Sequence, residues 1–179
     1  MGVAITPDTK DWTWVIERPC PACGFDPSTV RRTDVADRIA RSASGWDTAL
    51  ARPDAAVRPD ENTWSVLEYG CHVRDVHLIM RERLQLMLTR DGAAFANWDQ
   101  DAAAIENDYG AQDPEVVAQE LADAALTFAQ AYSIVEDGDW GRTGLRSNGS
   151  AFTIESFAVY ALHDLEHHRI DVGMENTHG

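Results

Sequence analysis

The sequence predicts an all-α protein, a four-helix bundle with an N-terminal loop extension. Three observations carry this reading. Four long segments place apolar residues three or four positions apart, the period at which one face of a helix meets a core. Each segment opens at a residue whose side chain can cap a helix N-terminus. No run shows the strict alternation of a half-buried strand. At 179 residues the chain is long enough for one domain that buries its core without disulfide or metal staples. A bound metal would therefore serve function.

The elements follow in order. Residues 1–32 show no clear period and contain PCPACGFDP, where Pro19, Pro21, Gly24 and Pro27 interrupt regular structure, so they form the extension. From Thr33 as N-cap, Val35, Ile39, Trp46 and Leu50 mark a first helix that ends before Pro53 and Pro59. Ser65 and Glu68 in SVLE have the capping-box form and open a second helix running to about Arg90. A short helix is expected at Asp99–Asn107. Asp113 and Pro114 open a third long helix through Val117, Leu121, Ala124, Phe128 and Tyr132. After the glycine-rich connection GDWGRTGLRSNGSAF, Thr153 caps a fourth helix ending near Gly173. The bundle spans residues 33–173, and 174–179 form a tail.

The net charge of −15 opposes a nucleic acid or an anionic membrane as partner, since either needs a dense basic surface. No long apolar run or signal-like N-terminus is visible, so a cytoplasmic protein is expected, with a homodimer left open. Three cysteines make no disulfide framework.

The chemistry concentrates in HDLEHHRID, residues 163–171. On a helix His163 and His167 lie roughly 40° apart, whereas His168 points roughly 140° from His163, so only the first two can share an ion. A third ligand must come from another long helix, as inward-facing sites in bundles do. The second helix offers His72 and His77, again roughly 140° apart. His72 sits at the edge of the apolar stripe Val66, Tyr69, Val73, Val76, Met80 and Leu84 and is the choice. His72, His163 and His167 would leave a position open for water or substrate, as catalytic zinc sites do. Spacing alone leaves the ordinary alternative standing, histidines hydrogen-bonded within a core.

WSVLEYGCHVRDV, followed much later by FTIESFAVYALHDLEHHRIDV, resembles the DinB-like (DinB/YfiT) superfamily, and within it the actinobacterial branch of mycothiol-dependent enzymes. The resemblance covers residues from about 33 to 173. It implies an antiparallel four-helix bundle holding a divalent metal, zinc or nickel, on His72, His163 and His167. It also implies that the ion binds and activates a low-molecular-weight thiol such as mycothiol, in S-transfer or isomerisation. A coordinated thiol loses its proton near neutral pH, so no protein nucleophile is needed. Two alternatives remain: hydrolysis of a small amide or ester by the same open site, and a non-catalytic metal-binding stress-response protein.

Other residues have weaker claims. CPACG has the form of a zinc knuckle, but no second C-x-x-C supplies the remaining ligands, and Cys71 could join only if the extension folded back on the second helix. An inert loop is the expectation, with structural zinc or a redox pair as the alternatives. Asp75, Asp164 and Asp171 could orient imidazoles, although exposed helix acids are the default. Arg142 and Arg146, on the connection entering the last helix, are the candidates to bind a carboxylate of the thiol or substrate. Trp64, Trp98 and Trp140 could line a pocket or anchor the core.

Overall fold

The computed structural model describes residues 11–175. Its long helices are α1 (Val35–Ser42), continued by α2 (Trp46–Leu50), then α3 (Val66–Thr89), α5 (Pro114–Ser133) and α6 (Ile154–Asp171), with the short α4 (Gln100–Glu106) between α3 and α5. α1 packs on α5 and α6, and α3 packs on the same two helices, so the four close a ring around one core. That core joins Ile39, Val73, Val76, Leu84, Leu121, Phe128, Phe157, Leu162 and Leu165, all fully buried. No described helix is long and apolar enough to cross a membrane.

The caps explain where the helices start. Ser65 and Glu68 form the expected capping box: Ser65 Oγ accepts from the Glu68 amide at 3.2 Å while Glu68 Oε2 accepts from the Ser65 amide at 2.9 Å. Asp113 accepts from the Glu115 amide, and Thr153 from that of Ser156. Asp99 caps α4. Thr33 does not cap: a 3-10 turn at Arg32–Asp34 leads straight into α1. The first helix also breaks where a single one was expected, because Gly45 adopts φ +84°, a conformation that only glycine takes readily, between α1 and α2.

The protein is not strictly all-α. β1 (Ala93–Phe95), β2 (Thr143–Arg146) and β3 (Ala151–Thr153) form a small mixed sheet in the order β1-β2-β3. β1 and β2 are parallel, with Ala94 opposite Leu145, and β2 and β3 are antiparallel, with Gly144 opposite Phe152. The sheet anchors the chain that follows β1. Arg83 Nη2 donates to the Ala96 carbonyl, and the Asn97 amide donates to Ser147 Oγ. Trp98 is thereby set against α3. Of the expected tail, Met174 packs on the core, while residues 176–179 lie outside the described chain.

Candidate metal centre

α3 and α6 bring three donors together. His72 Nε2 on α3 and His168 Nε2 on α6 each stand 3.3 Å from Asp164 Oδ1. Donor atoms of these three residues all lie within 4.8 Å of one another. Two ligands with metal bonds of about 2.0–2.1 Å at a tetrahedral angle are about 3.4 Å apart, so the donor set fits a divalent ion. The imidazoles are oriented from outside. Asp171 Oδ2 accepts from His168 Nδ1 at 2.8 Å, the carboxylate support that metal-binding histidines commonly have. The fully buried His72 ring stacks on Trp98, with centroids 5.3 Å apart and planes 3° apart, and lies 5.3 Å from Trp64.

Without an ion, protons and carboxylates balance this cluster. Burial opposes a charge on His168, but Asp164 and Asp171 outweigh it and push the imidazolium up to about 9. Burial alone would raise Asp164, yet His168 and His72 hold it well below the usual carboxylate range. Burial pushes His72 down against the pull of Asp164. A metal entering the site must therefore displace a proton from His168.

The cluster opens on a cavity of about 350 Å³. Trp12, Trp64, Tyr69 and Tyr160 give it aromatic walls, and Asp101 adds to the negative charge of Asp164 and Asp171. No lysine or arginine lines it among the described residues.

The structure separates the residues expected to form one site. His72 joins Asp164 and His168, whereas His163 and His167 join Cys20 and Cys23. The expected set of His72, His163 and His167 is thus divided between two clusters, His72 in one and the two α6 histidines in the other. The physical reason is that α6 carries two interleaved i, i+4 pairs, 163/167 and 164/168, about 100° apart. The second pair faces α3. Spacing exposes both pairs equally; D-x-x-x-H was legible as a ligand pair, but nothing in it says which face meets the second helix. His77 is a core histidine: Nδ1 donates to the Val73 carbonyl at 2.7 Å and Nε2 faces Ser42 Oγ at 3.2 Å.

Neither arginine assigned to the thiol or substrate lines the cavity. Arg142 Nε donates to the Met87 carbonyl. Arg146 is buried and donates to Asn148, Ser150 and the Tyr160 hydroxyl oxygen, so it reaches the cavity only through Tyr160. Asp75 is engaged by Arg74 and by the Tyr109 hydroxyl. Cys71 Sγ sits near Gln112, away from the other two cysteines. Trp140 is a buried core residue.

No curated protein matches the chain. Among solved structures the fold is similar to YfiT from Bacillus subtilis, described as a probable metal-dependent hydrolase with an unusual four-helix bundle topology. The TM-score is 0.69 and the identity 16%, over 86% of this chain and 90% of that one. The DinB superfamily profile matches residues 48–172, a span that includes α3, α5, α6 and all three donors of the cleft: the chain belongs to the DinB superfamily.

Proposed function

We propose that this protein is a metal-dependent enzyme, its ion held by His72, Asp164 and His168, that directs a small thiol onto an electrophile in the aromatic cleft. The convergence of these three donors, with Asp164 and His168 lining the cavity, carries the reading. Two imidazoles and one carboxylate satisfy three positions and leave the remainder to exogenous ligands. When bound, a divalent ion would lower the pKa of a coordinated thiol or water and polarise the electrophile.

The chain's own residues do the rest. Asp171 holds His168 in the tautomer that turns Nε2 inward. Trp64 and Trp98 fix the His72 ring. Because Tyr160 accepts from Arg146, its own O–H is left to donate into the cavity, and burial keeps that phenol protonated. The acidic lining, without lysine or arginine among the described residues, disfavours thiols rich in carboxylates. Aromatic walls suit the neutral sugar rings of mycothiol, which makes it our choice of cosubstrate for S-transfer or isomerisation. A thiol cosubstrate also fits a reducing, cytoplasmic setting.

The second reading is hydrolysis of a small uncharged amide or ester. Its support is the donor set, since two histidines and a carboxylate also hold zinc in hydrolases, and the description of the Bacillus structure as a probable metal-dependent hydrolase. One assay separates the two. Metal-loaded protein is given a panel of alkylating electrophiles with mycothiol, bacillithiol or glutathione, and neutral esters and amides without thiol. Thiol-dependent turnover that chelator and His168→Ala abolish is expected. Turnover of esters or amides without thiol would replace S-transfer by hydrolysis, and metal-independent rates throughout would defeat both readings.

A further inference from the structure

We propose that Cys20, Cys23, His163 and His167 form a second metal site, a closed Cys2His2 zinc centre that staples the N-terminal extension to α6. Donor atoms of all four lie within 4.8 Å of one another. His167 Nδ1 stands 3.8 Å from Cys20 Sγ, close to the roughly 3.5 Å between a sulfur and a nitrogen ligand on one tetrahedral zinc. His163 Nε2 is buried with no hydrogen-bond partner, an unfavourable state for a polar atom that a coordinated ion would relieve.

The local chain is shaped for the purpose. The Gly24 amide donates to the Cys20 carbonyl and the Cys20 amide to the Phe25 carbonyl, both at 2.8 Å, closing CPACGF into a tight knuckle. Gly24 sits at φ +77°, where a side chain would be strained. Opposite the knuckle, one turn of α6 supplies the two imidazoles. Trp12 stacks on His163 with centroids 5.5 Å apart, and the Phe25 edge meets the same ring at 5.5 Å. Cys20 and Cys23 are 1% and 7% exposed, so solvent has little access.

Charge and valence agree with zinc. Two thiolates and two neutral imidazoles cancel a divalent charge, so a buried centre avoids the penalty of an isolated ion. Binding sends the two thiol protons to solvent. Four protein ligands leave no position for substrate, which makes the centre structural, with His163 and His167 also forming part of the cleft wall. Both cysteines precede the span matched by the DinB profile, so this chain completes the site from its own extension. The staple also bears on the cleft, because Trp12, which contacts His163 and His167, forms one of its walls.

The test uses full-length protein loaded with zinc. Elemental analysis should find about two ions per chain, falling to about one in Cys20→Ser/Cys23→Ser and to about one in His168→Ala. Since loss of both cysteines can unfold the extension, wild-type protein gives an independent answer. Its zinc-edge absorption spectrum should contain a sulfur shell near 2.3 Å, roughly the zinc–thiolate distance, and its cobalt form a sulfur-to-metal charge-transfer band with no thiol added. A single ion per chain insensitive to the double serine variant, absence of the sulfur shell, or a Cys20–Cys23 disulfide in protein isolated anaerobically would each overturn the proposal. His168→Ala should keep the sulfur shell, so failure of the catalytic reading leaves this result unaffected.

Discussion

Asp171 accepts a 2.8 Å hydrogen bond from Nδ1 of His168 and thereby commits the opposite ring nitrogen, Nε2, to Asp164 and His72. Replacing Asp171 with Ala frees the ring to rotate and removes one of the charges that hold its proton. The expected outcome is 10- to 100-fold weaker metal binding at the cleft, roughly what loss of a supporting carboxylate costs elsewhere. Competitive titration against a chromophoric chelator measures it. Equal affinity in wild type and variant would mean that packing, not Asp171, orients His168.

The same imidazole makes metal-free stability pH-dependent. The folded state raises His168 from its ordinary 6.5 to about 9, so it binds the proton more tightly than the unfolded chain does. Its stabilisation is complete below 6.5 and is lost as pH rises through about 9, amounting to at most about 3 kcal/mol. Urea unfolding of chelator-treated protein between these limits should show the midpoint falling, and His168→Gln should flatten the slope. A parallel decline in the variant would assign the effect to other groups.

Beneath α6 lies a buried ion pair. Arg38 Nη2 reaches both carboxylate oxygens of Glu166, at 2.9 and 3.0 Å, with side chains 9% and 0% exposed. Burial already pushes Glu166 up to about 7 against the pull of Arg38, so in Arg38→Ala the carboxyl takes up a proton and the variant should cost about 1–3 kcal/mol, the loss of its charged hydrogen bonds. Arg38→Met combined with Glu166→Leu should recover much of that loss. Denaturant titration of the three proteins decides, and a loss below about 1 kcal/mol in the single variant would mean that water reaches Glu166.

Gly144 marks where the sheet presses on α3. A methyl group there would lie 2.7 Å from Phe95 Cε1 and 2.9 Å from Met87 Cγ. Overpacking of this kind costs about 1–3 kcal/mol, so Gly144→Ala should lower the melting temperature clearly. The exposed Gly138, with open space around it, is the control. If both alanine variants melt alike, the contact at Gly144 relaxes freely.

The helices were legible because capping and period agree at Ser65, Asp113 and Thr153, and those signals are local. The sheet was not, since strands of three or four residues are too short to show alternation. Asn148-Gly149, with Gly149 at φ +95°, was the available hairpin signal. The structure places His72 beside Asp164 and His168, and His163 and His167 beside the two cysteines. Choosing between 163/167 and 164/168 requires knowing the rotation of α6 against α3, a tertiary quantity. The cysteines' partners were hidden for a related reason: they come from a helix nearly 150 positions away, at His167, and not from a second C-x-x-C.

From Leu162 to Arg169 every direction around α6 is occupied. Leu162 and Leu165 enter the core, and Glu166 meets Arg38. Arg169 donates to the Ser42 and Ser44 carbonyls. The interleaved pairs turn toward the extension and the cleft. A surface helix ordinarily keeps one wet stripe along which it can roll or slide by a fraction of a turn. This segment has none, so adjustment to a ligand falls to the cleft's other walls: the segment carrying Gln100 and Asp101, the half-buried Tyr69, and the Trp12 segment. Specificity within this scaffold should accordingly change through those three walls, while substitutions of the core-facing and ion-paired residues of α6 register as losses of folding.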